Sequence, residues 1–141
     1  MKKPKYNFYL NPHDIYKWTK CPKCENKTKV RKHCLMIHYK DKKKNFNQLI
    51  SLNKSCKFCP YCELIIAQKS EIEIYINQII TNIGLKFNPN NYFVFGTMDR
   101  NDWKKSQKEP LNQGKAFDFV APFKDTWDFE IQPAGWYYEG K

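Results

Sequence analysis

Glycine and arginine are scarce in this chain. Its five glycines stand apart from one another, and only Arg31 and Arg100 are arginine among 25 basic residues. Isolated glycines exclude a phosphate-cradling loop of the P-loop or dinucleotide type. Two arginines disfavour base-specific reading, which leans on bidentate guanidinium contacts to guanine. No run approaches the roughly 18 apolar residues that a membrane span requires. The first twenty residues, broken by Asn, Pro, His, Asp and Lys, do not read as a secretory signal. The expectation is therefore a cytoplasmic protein with no membrane partner. No Ser–His–Asp set is legible. Large apolar side chains, in contrast, are plentiful: ten Phe, nine Tyr and four Trp among 141 residues. That supply builds the core of one ordinary domain and excludes wholesale disorder.

Charge is divided unevenly. The net charge is +11, yet residues 1–69 hold 17 of the basic side chains against Asp14, Glu25, Asp41 and Glu63, while residues 70–141 are slightly acidic. All six cysteines, at 21, 24, 34, 56, 59 and 62, lie in the basic half. A positive block of this kind suits a polyanion, although lysine-rich composition also serves solubility.

Cysteine spacing carries the strongest signal. Cys21-Pro-Lys-Cys24 and Cys59-Pro-Tyr-Cys62 are two copies of Cys-Pro-x-Cys. Each forms a tight knuckle with inward thiolates, and two knuckles face to face supply the four sulfurs of a structural Zn2+ site. Extended segments at Lys27–Arg31, Cys34–Tyr39 and Leu49–Lys54, joined by the Lys-rich loop Asp41–Asn47, give the layout of a zinc ribbon. Cys56 is an alternative to Cys62, since Cys56-Lys-Phe-Cys59 has the same spacing. His33, His38, Cys34 and Cys56 are candidates for a second site, with ordinary strand residues as the simpler reading. Cys59-Pro-Tyr-Cys62 also matches a glutaredoxin-type redox motif. That motif normally opens a helix after a first strand, and here it follows an antiparallel segment.

Along the chain, Met1–Lys20 reads as an aromatic, basic arm lying on the ribbon, and Glu63–Gln68 as a strand leaving the second knuckle. Ser70–Ile83 is the clearest helix, with Ser70 and Glu73 as a capping box, Ile72, Ile76, Ile79, Ile80 and Ile83 on one face, and Gly84 at its stop. Beyond Pro89 the pattern predicts a strand at Tyr92–Phe95, a short helix capped by Asp99 through Trp103, an aromatic stretch at Ala116–Phe123 and a strand at Thr126–Ile131. The fold class is α+β: residues 1–68 form a basic zinc ribbon of antiparallel strands, and residues 69–141 an α/β extension sharing its core.

With these residues in view, the chain resembles a small bacterial zinc-ribbon family of no established activity. The resemblance runs from Phe8-Tyr-Leu-Asn-Pro12 through both knuckles to Glu73, then through Phe95-Gly-Thr-Met-Asp-Arg-Asn-Asp-Trp103 and the Trp-rich end. It implies a fold and a metal, and carries over only the four knuckle cysteines.

Three functions fit. The first is a nucleic-acid-binding module, with Lys23, Lys27, Lys29, Arg31, Lys32, Lys42, Lys43 and Lys44 neutralising backbone phosphates. The second is a protein-interaction scaffold using Trp103, Trp127, Trp136 and Tyr137. The third is a metal-dependent nuclease built on Asp118, Asp125, Asp128 and Glu130, with Asp118 and Glu130 as magnesium ligands.

Overall fold

A computed structural model describes residues 1–108 and 117–129. The order of elements is β1 (Asn7–Asn11), β2 (Lys29–Asp41), β3 (Phe46–Cys59), β4 (Leu64–Gln68), α1 (Lys69–Asn82), a 3-10 turn (Pro89–Asn91), β5 (Tyr92–Met98), α2 (Arg100–Lys108), β6 (Val120–Pro122) and β7 (Asp125–Trp127). The fold is mixed α/β with strands predominating. All seven strands join one sheet in the order β6-β5-β2-β3-β4-β1-β7.

The β2–β3 hairpin is the spine of the sheet, paired without interruption from Lys29↔Phe58 to Asp41↔Phe46. Where the sequence suggests separate extended segments at 27–31, 34–39 and 49–54, the strands run through. No glycine or proline lies between residues 29 and 59 to break them. The turn closes through Asp41, whose Oδ1 accepts from the Lys43 and Lys44 amides at 3.0 and 3.2 Å, while Asn45 takes the left-handed φ of 49°.

Side-chain alternation distributes the core over both faces of the sheet. Leu35, Ile37 and Tyr39 of β2 face the main core with Ile50, Leu52, Cys56 and Phe58 of β3. Their neighbours Cys34 and Met36 pack on the opposite face with Met98 and Val120. Helix α1 covers the main core by burying Ile72, Ile76 and Ile80, each worth roughly 1.5–3 kcal/mol. The expected capping box does not form. Gln68 is the N-cap and makes no side-chain cap bond, because tertiary partners take both side chains: Ser70 donates to Asp14 at 2.7 Å, and Glu73 accepts from the Tyr92 hydroxyl at 2.8 Å. Ile83, expected on the buried face, is exposed. At the far end Gly84 adopts φ 85°, with its amide on Thr81 O and the Leu85 amide on Ile80 O. These are the two bonds of a Schellman stop.

The N-terminal segment is not an arm on the surface. β1 runs parallel between β4 and β7, with Phe8 in the main core and Tyr9 on the other face. The strand expected at Tyr92–Phe95 continues to Met98. Asp99 caps α2 by accepting from the Asn101 amide at 2.8 Å, and that helix outlasts the expected end at Trp103. β7 covers Asp125–Trp127, while Glu130, Ile131 and the aromatic tail lie outside the described residues.

β6 and β7 stand at opposite edges of the sheet, yet Phe123 and Lys124 alone separate them in the chain. Two residues cannot cross an open sheet of seven strands, so the sheet curls until its edges meet. The N-terminal segment fills the seam: the amides of Lys2 and Lys5 donate to Val120 and Pro122 of β6, and the Lys124 amide donates to Tyr6 O.

Candidate metal centre

The first knuckle is a closed loop ahead of β2. A bridge pairs Lys20 with Lys27, the Cys21 amide donates to Asn26 O at 2.8 Å, and the Glu25 amide donates to Cys21 O at 2.9 Å. The second knuckle is the β3–β4 turn itself. A Cys-Pro-Tyr-Cys in a hairpin turn lacks the helix start on which redox motifs of that kind depend. β1 steadies this turn, since the Asn7 side chain donates to Cys62 O at 2.9 Å and its amide to Glu63 O at 2.7 Å.

Together the two turns place the sulfurs of Cys21, Cys24, Cys59 and Cys62 within 4.8 Å of one another, where they can hold a metal ion. Cys24 and Cys59 approach to 3.4 Å, and Cys21 and Cys62 to 4.0 Å. Backbone amides point at the sulfurs: Lys23 N at Cys21 (3.4 Å) and Cys62 N at Cys59 (3.5 Å). The Asn26 side chain adds a bond to Cys24 at 3.3 Å. Cys21 and Cys59 are buried, and around the cluster stand Tyr9, Leu64, Ile66, Trp18, Trp127 and Phe129.

The thiols differ in acidity. Burial pushes Cys21 up to about 11, and burial with neighbouring sulfurs raises Cys62 further. Cys24 also loses water, but hydrogen bonds with Asn26, Cys59 and Cys62 together outweigh that loss and bring it down to about 7. A cation bound here takes its cysteine ligands as thiolates, so binding releases protons.

The pleat of β3 excludes Cys56 from this shell. Cys56 and Phe58 face the main core, whereas Cys59 faces the cluster on the other side of the sheet. Nor does a second site assemble from the remaining candidates. Cys34 faces Met36 and Met98, His38 bonds Asn47, and His33 packs between Tyr6 and Phe58. Among the described residues, the cysteine tetrad is the one group of three or more His, Cys, Asp or Glu arranged to hold an ion. Asp118, Asp125 and Asp128 join no such group, and Glu130 lies outside the described residues. Of the aromatic residues considered for a partner surface, Trp103 and Trp127 are half-buried against the core, and Trp136 and Tyr137 are outside the described residues.

The basic candidates are all exposed but fall into two groups. Lys23, Lys27, Lys29, Arg31 and Lys32 lie at the knuckle end. Lys42, Lys43 and Lys44 form the far turn, about 40 Å away at the ordinary rise of a strand the length of β2. Lys40, Lys42, Lys43 and Lys86 line an open groove of about 770 Å³ beside that turn.

Two features escaped the sequence reading. Each knuckle is followed by glutamate, Glu25 and Glu63, and both take a left-handed backbone, φ 64° and 51°. The repeat is therefore Cys-Pro-x-Cys-Glu, and its last member turns the chain. The other is Asn11, fully buried, whose side chain bonds both His13 and Tyr16 and shapes the loop leading to the first knuckle.

Compared with family models, with curated proteins and with solved structures, the chain finds no match. No described helix is long and apolar enough to cross a membrane.

Proposed function

We propose that the cysteine tetrad holds a structural zinc ion in a ribbon-like site, and that the basic hairpin anchored by it is a nucleic-acid-binding module. The donor set favours zinc: four thiolates are the softest of its structural shells, and a tetrahedron with bonds of ~2.3 Å has edges of roughly 3.8 Å. The observed 3.4 and 4.0 Å separations bracket that value. All four positions belong to the protein and leave none open for a reacting water, which suits a structural ion.

One observation carries the nucleic-acid reading. Among the described residues, no acidic side chain forms an ion pair with Lys23, Lys27, Lys29, Arg31, Lys32, Lys42, Lys43 or Lys44; the ion pairs that do form use Lys2, Lys54, Lys69 and Lys124. Unneutralised cations on the hairpin and the knuckle before it would release counterions from a phosphate backbone without reading bases.

Two measurements test the two halves of this proposal. Elemental analysis of protein prepared under reducing conditions is expected to give one zinc per chain. Titration with a single-stranded oligonucleotide at rising salt is expected to show affinity falling steeply, by about 0.7 in log–log slope for each phosphate contact. Replacing Lys42, Lys43 and Lys44 with Gln should flatten that slope. Binding that is absent at low salt, or indifferent to salt, would refute the nucleic-acid reading and leave the zinc site standing.

A further inference from the structure

The curled sheet is breached at one place. β5 ends at Met98, paired with Cys34, but β2 continues to Lys29 with β3 alone beside it. On the other side of the gap runs the N-terminal segment, tied through Lys2 and Lys5 to β6. Between them opens a cavity of about 440 Å³.

Its lining is strongly cationic. Lys2, Lys5, Arg31, Lys32 and Arg100 border it, against the single carboxylate of Asp99. Lys2 is already engaged by Asp102 at 2.6 Å, which leaves four cations. Arg31 lies over the rings of Phe58 and Tyr6, at 5.0 and 5.9 Å, in cation–π contact. The cavity also reaches His33, which is 5% exposed and whose Nε2 has no hydrogen-bond partner among the described residues. A buried ring nitrogen without a partner is costly and rare in native proteins, so it calls for an explanation.

We propose that this cavity binds a phosphate monoester, the chemistry shared by the 5′-phosphorylated end of a nucleic-acid strand and by a free mononucleotide. The inference rests on the nucleic-acid reading and narrows it to one site. Arg31 presents a planar fork that suits two phosphate oxygens, while Lys5, Lys32 and Arg100 supply the remaining charge. His33 contributes its unpaired ring nitrogen. Four cations against one carboxylate match a dianion better than a carboxylate ligand. The volume exceeds what inorganic phosphate fills and lies in the range of about 300–1,000 Å³ that takes a nucleotide-sized ligand. The ring of Tyr6 and the half-buried Phe119 provide apolar wall beside the charges.

The test uses the full chain and four probes: inorganic phosphate, adenosine monophosphate, and one short single strand made with either a 5′-phosphate or a 5′-hydroxyl. Affinity and the His33 ring-nitrogen NMR signal are read for each. The phosphorylated strand is expected to bind about tenfold more tightly than the hydroxyl strand, a modest return for charge-assisted bonds, and to move the His33 signal. Lys32→Gln with Arg100→Gln, both exposed side chains that leave the core intact, should abolish the preference. A His33 shift and competition by adenosine monophosphate would assign the free nucleotide as the source. A preference for the phosphorylated strand without such competition would assign the strand end. Equal affinity for the two strands, with His33 unmoved by any probe, would overturn the site. So would a preference that survives the double substitution. Salt-sensitive binding of the hydroxyl strand in that event would leave the nucleic-acid reading intact, so the two failures are distinguishable.

Discussion

Gly96 and Ala121 approach across neighbouring strands so closely that a β-carbon on Gly96 would collide with the Ala121 carbonyl oxygen. The approach joins β5 to β6 beside the irregular register at Met36/Ile37. Gly96→Ala pushes against backbone, which cannot rotate away. A loss of about 2–3 kcal/mol is expected by chemical denaturation. Gly84→Ala meets open space but inherits φ 85°, so its cost should be smaller, about 1 kcal/mol. Equal costs would count against this geometry.

Cys59 and Cys56 should behave oppositely despite lying three residues apart. Cys59→Ser removes a sulfur from the tetrad and is expected to abolish stoichiometric metal binding. Cys56→Ala removes a buried core atom, costs on the order of 1 kcal/mol, and leaves metal content unchanged. Elemental analysis of both variants decides this, and loss of metal from Cys56→Ala would contradict the strand register.

Acid stability should carry the imprint of His33. Burial, aided by the cations of Arg31 and Lys5, lowers this imidazole from 6.5 to about 4. Between those values the unfolded chain binds a proton that the folded chain refuses. The contribution is therefore whole above pH 6.5 and drains away as pH falls toward 4, to a total of about 3 kcal/mol. Denaturant unfolding at several pH values in phosphate-free buffer measures it. His33→Gln should show a smaller acid loss than the unsubstituted protein, and parallel curves would refute the assignment.

Helix α1 offers a contrast between a missing cap and a buried face. Ser70→Ala should cost less than about 0.5 kcal/mol, since it breaks an exposed bond to Asp14 and no cap. A true capping serine would cost about 1 kcal/mol. Ile76→Ala, at a fully buried position, should cost about 2–5 kcal/mol. Thermal or denaturant midpoints compare the two directly.

What could be read from the sequence was local. Paired knuckles specify their own turns, and α1 announces itself by isoleucines at helical spacing and a glycine stop, so both were legible. Ser70 and Glu73 satisfied the pattern of a capping box, but the pattern is blind to Asp14 and Tyr92, which draw those side chains away. The sequence suggests an arm rather than β1 because the partners of that strand, Leu64–Gln68 and Asp125–Trp127, are remote in the chain. The choice between Cys56 and Cys62, left open by spacing, needed only strand parity: positions 56 and 59 face opposite sides of any unbulged strand. His33 gave no sign of its cavity, since charge from three different segments converges there only after folding.

The seam where the sheet meets itself has a kinetic corollary. Asn7 finds its neighbours at Leu64 and Asp125, both much later in the chain. A strand made before both of its partners must wait as an unpaired, aromatic edge, vulnerable to pairing with other chains in the interval. Ring closure over such sequence distances is slow.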